Sequence, residues 1–205
     1  MLKLIISFVV FIFSSVVLNA ETHQATGSKD EFDQAVKYVE KKNFLEAIKL
    51  FSKLAESGIP EAQYNLSLFY SNGLGSPKNF RLSLYWAWQA HLNDHENAME
   101  RVTSVFDLID ENLRNSVAGK VVEELLLIAN AGDKVAPLKL GKTYLGLFVE
   151  AQNKPAYIWL SIAQAYGDEN ASSFLEQAAA QLTLEEILAQ QDEAHTIFQN
   201  IPNSD

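Results

Sequence analysis

His91 and His95 stand four apart in "HLNDH" with Asp94 between them, a spacing that puts two imidazoles on one helical face and suggests a zinc site. Hydrolytic zinc helices place Glu directly after the first His, but position 92 is Leu and no third ligand is evident nearby. His95 also corresponds to Asp168 in a later copy of the same motif, so this stretch reads as a helix-to-helix turn rather than a metal centre. "GLGSPK", Gly73 to Lys78, looks like a phosphate-cradling loop but follows no strand, and it has the length of an inter-helix turn. The pairs Glu123-Glu124 and Glu185-Glu186 are adjacent on helices, so their carboxylates diverge onto solvated faces. The chain has no cysteine nucleophile and no Gly-x-Ser-x-Gly elbow. It is therefore expected to be non-enzymatic and to carry no catalytic residue, cofactor or metal.

The elements that would position any site come from repetition. "SLYWAWQAHLNDHENA", Ser83 to Ala98, aligns with "AYIWLSIAQAYGDENA", Ala156 to Ala171, at a constant offset of 73, with Trp86/Trp159, Ala90/Ala163 and the "ENA" endings identical. "LAESGIPEA" (54–62) aligns with "IANAGDKVA" (128–136) at 74. The periodicity from position 30 onward is 3.6 throughout, with Gly, Asn or Pro between segments and no alternating strand. It predicts helices over 30–40, 44–57, 60–71, 78–92, 94–108, 111–131, 134–147, 153–166, 168–181 and 184–199. Gly58 and Gly132 suit left-handed helix ends, and Pro60 a first helical turn. Ser28 with Glu31 and Thr183 with Glu186 have capping-box spacing. The fold class is all-α: five hairpins stacked as an α-solenoid, with one hairpin at 30–57 and two repeat units at 60–131 and 134–199, ending in a tail at 200–205.

The small and large positions Ala62, Leu66, Tyr70, Gly73, Gly75, Trp86 and Ala90, repeated as Ala136, Leu140, Tyr144, Trp159, Ala163 and Gly167, resemble the Sel-one-like repeat. The first hairpin is similar to an ordinary tetratricopeptide unit through Ala35, Tyr38, Phe44, Ala47 and Phe51. Ser67 and Ser83 replace the usual small Gly and Ala, and "LFVEAQNK" (147–154) lacks the paired glycines of the first loop. The resemblance implies an interaction scaffold or adaptor binding a protein or peptide partner. By register, Glu61, Tyr64, Leu68, Ser71, Leu138, Lys142 and Leu145 are expected to line a concave groove; Leu84, Trp88 and His91 form a second stripe that is either a partner anchor or packed against the 94–108 helix.

Met1-Leu2-Lys3, the uncharged run Leu4 to Leu18 and "LNA" ending at Ala20 have the layout of a secretory signal peptide, over residues 1–20, cleaved after Ala20. Residues 21–29 read as a polar, flexible leader, so the protein is expected to be periplasmic or secreted, without membrane insertion after cleavage. Net charge is −10, and 155–205 holds no Lys or Arg, which opposes binding of nucleic acid. Two rival readings stand beside the scaffold. One is a secreted repeat enzyme interacting with β-lactams, whose hallmark cysteine pairs are missing here; the other is a membrane-tethered accessory subunit of an envelope complex. The sequons at Asn65 and Asn170 lie in expected helices and read as chance.

Overall fold

The computed structural model describes residues 29–202; the expected signal peptide, nearly all of the leader, the Ser28 cap and the last tail residues lie outside them. Ten helices and no strand occur among the described residues: α1 over 29–40, α2 Phe44–Glu56, α3 Pro60–Asn72, α4 Phe80–Leu92, α5 Ala98–Phe106, α6 Glu111–Asn130, α7 Ala136–Gly146, α8 Asn153–Ala165, α9 Ala171–Ala179 and α10 Leu184–Asn200. They stack as an α-solenoid.

Local chemistry sets the helix ends. Asn79 Oδ1 accepts a bond from Leu82 N at 3.1 Å and Asp110 Oδ1 from Leu113 N at 2.7 Å, each satisfying an orphan donor of a first turn. Thr183 and Glu186 form the reciprocal capping box, Thr183 N donating to Glu186 Oε2 at 2.9 Å and Glu186 N to Thr183 Oγ1 at 3.2 Å. Helix α4 starts at Phe80 rather than 78 because Asn79 is the extended cap. Helices α5 and α9 start at 98 and 171 rather than 94 and 168 because each preceding helix ends in a left-handed residue, Asp94 (φ 61°) or Gly167 (φ 88°), followed by a turn. His95 N then donates to Ala90 O at 3.0 Å, and Asp168 N to Ala163 O at 3.1 Å, the same wrapped helix end in both copies.

Neighbouring helices pack in order, but not as five simple hairpins. Helices α3 and α4 pair closely, as do α7 and α8; α5 lies chiefly against α4, α6 chiefly against α7 with a smaller contact to α4, and α9 and α10 both against α8. The reason is where the apolar stripes point: Val102 and Val105 of α5 and Val117 and Val121 of α6 enter one cluster with Leu84 and Trp88 of α4. That cluster continues through Leu140 and Leu147 to Trp159 and Ile162, so the central core crosses from the first repeat unit into the second. Smaller cores lie around Phe51, Leu66 and Phe69 at one end and around Tyr157 and Leu160 at the other.

Close helix approach depends on absent side chains. At Gly141 on α7 a Cβ would overlap Cγ and Cδ2 of Leu160 on α8, which is fully buried. Gly141→Ala is expected to destabilise the protein by about 1–3 kcal/mol, because Leu160 must leave its packed rotamer or the helices must separate. Urea unfolding followed by far-UV circular dichroism measures this; an unchanged midpoint would show that α7 and α8 are not in tight contact there.

Candidate functional site

The groove expected from register is only partly a groove. Tyr64 on α3 is half-buried and stacks on the His95 ring, centroids 4.3 Å apart and planes 8° from parallel. Leu68 and Ser71 follow on the same helix, both half-buried, and Glu61 is exposed at its start. Across the unit boundary Lys142 Nζ lies 3.5 Å from Asp94 Oδ1 and 5.5 Å from the Phe174 ring centre. Leu145 is half-buried against the last core. Leu138 is not available: it is 8% exposed and packs in that core with Tyr157 and Leu160, because α8 and α9 close over it.

The second stripe is interior. Leu84 is fully buried and Trp88 is 1% exposed, so neither anchors a partner. Packing with α5 holds, through Val102 and Val105, but the polar edge of Trp88 points to the next unit, where its Nε1 donates to Thr143 Oγ1 at 3.0 Å. The tip of its ring abuts Gly146, where a Cβ would stand 2.9 Å from Cη2. His91 is half-buried beside Trp88, ring centroids 4.9 Å apart. His91 lies beside Trp88 on α4, whereas His95, beyond the left-handed Asp94, stacks on Tyr64. Among the described residues no cluster of three or more His, Cys, Asp or Glu is placed to hold a metal. The "GLGSPK" segment is the α3–α4 turn; Gly73 and Gly75 have φ of 72° and 71°, and a Cβ on Gly75 would collide with the Phe44 carbonyl.

Three polar assemblies tie helices together, the first within the first unit and the other two across the unit boundary, and reading each copy alone does not find them. Ser67 and Ser83 are fully buried with their hydroxyls 3.1 Å apart, and Arg101 from α5 reaches both, Nε to Ser67 Oγ at 2.9 Å and an Nη to Ser83 Oγ at 3.0 Å. Burial lowers the Arg101 pKa from its usual value. In the second unit the same places hold Gly141, Ala156 and Phe174. Arg114 on α6 caps the end of α7, donating to the carbonyls of Gly146, Leu147 and Phe148 at 3.2, 2.8 and 2.8 Å while stacking 3.7 Å above Phe106. With Asn115 Oδ1 accepting from Val149 N at 3.0 Å, this fixes the loop that lacks the paired glycines. Finally, Lys139 Nζ donates to Asn93 Oδ1 at 2.7 Å, Asn93 Nδ2 to Gln63 Oε1 at 2.8 Å and Gln63 Nε2 to Ala55 O at 3.0 Å, a chain from α7 to the end of α2. Aligning the two copies with each other gives the signal for the first and third, since polar residues replace apolar ones at matched positions.

Comparison with known proteins agrees with the repeat family and extends it to the first hairpin, whose small and large positions are similar to those of an ordinary tetratricopeptide unit. Residues 31–59 and 60–90 each match the family model described as Sel1 repeat. No curated protein matches the chain. Among solved structures, a protective antigen present in uropathogenic Escherichia coli strains and displaying an SLR fold is 16% identical, with a TM-score of 0.35 over 85% of this chain and 46% of its own. This chain thus spans less than half of that protein. A Sel1 repeat protein from Oxalobacter formigenes is 21% identical, with a TM-score of 0.31 over 82% of this chain and 87% of its own.

The His91 environment makes stability pH-dependent. Burial, then the Lys142 charge, lowers its pKa from the usual 6.5, against an opposing pull from Asp94. The folded protein therefore holds neutral His91 while the unfolded chain takes up a proton. Its contribution is complete above about pH 6.5 and is lost as pH falls through the lowered folded value. Urea midpoints measured between pH 8 and pH 5 are expected to fall with pH, and His91→Gln to flatten that fall; an equal slope in the variant would remove His91 as the cause.

Proposed function

We propose that this protein is an exported, non-enzymatic scaffold that binds a protein or peptide partner along the face formed by α3, the α4–α5 turn and α7. The observation that carries the reading is the Tyr64–His95 stack, which leaves two aromatic rings partly open to solvent. Leu68 and Ser71 on one unit and Lys142 and Leu145 on the other flank it with half-buried side chains. Such a strip combines flat apolar area with polar ends, the mixture that recognises a peptide or a helix. Sel1 repeats typically mediate protein–protein contact, which supports the same class of role. Export to the periplasm is inferred from the order of charged, apolar and small residues over 1–20. No helix among the described residues is long and apolar enough to cross a membrane.

In-cell crosslinking followed by mass spectrometry tests the binding face. A Tyr64→Ala/Leu68→Ser double variant with unchanged far-UV circular dichroism is expected to lose crosslinked partners that the wild type retains. Recovery of the same partners at the same yield would refute it. The amino terminus of the mature protein tests export separately: it is expected to begin at Glu21, and an intact Met1 would favour a membrane-tethered subunit instead.

A further inference from the structure

A cavity of about 350 Å³ opens where the α2–α3 turn, α4 and α7 meet. Glu56, Gln63, Trp86, Gln89, Asn93 and Lys139 supply its chemistry. The shared helical frame does not require polar side chains at Gln63, Gln89 and Asn93, as the second repeat unit shows. There Gln63, Gln89 and Asn93 are matched by Pro137, Ile162 and Tyr166, and the first two of these are buried. The same helical frame thus closes with apolar groups in one unit and stays polar and open in the other.

Glu56 is the anion of the cavity, and Lys139 its cation. The residue is half-buried, and among the described residues its ammonium makes no ion pair within 4.0 Å, although Lys49, Lys53, Lys120, Lys142 and Lys154 all do. Its one hydrogen bond goes to a neutral amide oxygen, leaving two N–H donors for other acceptors. Burial lowers its pKa even though Asp133 and Asp94 act the other way. A partly desolvated ammonium held only by an amide is a costly arrangement that an incoming carboxylate relieves. The Asn93–Gln63–Ala55 chain fixes the amide that holds it, so its position is set before any ligand arrives. Trp86 lines the same cavity and offers apolar area, and Glu56 on its wall suits an ammonium.

We propose that this cavity binds a small carboxylate-bearing ligand of amino-acid or short-peptide size, its carboxylate on Lys139 and the neighbouring amides and its apolar part along Trp86. Nuclear magnetic resonance titration of the purified protein with alanine, N-acetylalanine and N-acetylalaninamide tests this. The two carboxylates are expected to shift the Lys139, Asn93 and Gln63 side-chain signals saturably at millimolar concentration and to raise the Lys139 pKa, while the neutral amide does neither. Tighter binding of alanine identifies a free amino acid as the source, and tighter binding of N-acetylalanine a peptide carboxyl end. Lys139→Met is expected to weaken binding at least about tenfold, the loss of one charge-assisted hydrogen bond. Gln89→Ile, which introduces the second unit's residue, is expected to close the cavity with the helical spectrum intact; Lys154→Met, remote from it, should bind like wild type. Equal response to all three probes, no saturable shift, or undiminished binding in both folded Lys139→Met and Gln89→Ile would overturn the proposal.

Discussion

A repeat unit of this kind leaves an apolar stripe that only its neighbour can cover, and Trp88 is where the first unit meets that requirement. Its ring is buried among residues of α4, α5 and α6 while its single polar atom bonds Thr143 on α7. Burial of a side chain this large contributes on the order of 2–3 kcal/mol, and an indole N–H left without a partner would cost a comparable amount. Position and hydrogen bond therefore act together: α7 must bring Thr143 to the indole nitrogen and Gly146 to the Cη2 end of the ring. Arg114 then holds the end of α7 by its carbonyls. The strip from Tyr64 to Leu145 crosses this joint, so its geometry is inherited from the packing of Trp88.

The two units share a frame and differ in what they put on it. Where the second unit brings helices together with Gly141 and Ala156, the first uses Ser67 and Ser83 and must then satisfy two buried hydroxyls, which Arg101 does. Phe174 takes the place of Arg101 in the second unit and needs no such partners. The same contrast recurs at Gln63, Gln89 and Asn93. Buried polar networks cost more to build than apolar packing unless every member is paired, and at these matched positions only the first unit carries the polar residues.

Much of the fold was legible in the sequence because local signals and repetition agreed. Glycine at 58, 132 and 167, the Thr183–Glu186 box and the 73-residue echo each point to one arrangement of helices. The candidate site was read less well. Register leaves Leu84 and Trp88 on a stripe that either anchors a partner or packs on the 94–108 helix; the structure has the second, but covers Trp88 from α5, α6 and α7 together, which register on one helix does not report. Position alone puts Leu138 in the groove, but residues of α8 and α9 close over it. Arg101, Arg114 and Lys139 act through partners 18 to 46 positions away in sequence, a distance no local pattern reports.

The most direct measurement is native-state hydrogen exchange of the wild type and of Trp88→Ala. If Trp88 joins the two units, core amides of α3–α4 and of α7–α8 open together in the wild type and at separate free energies in the variant, with α7–α8 becoming independent of the first unit. Uniform loss of protection in both units, with their opening still coupled, would contradict the role given to this contact.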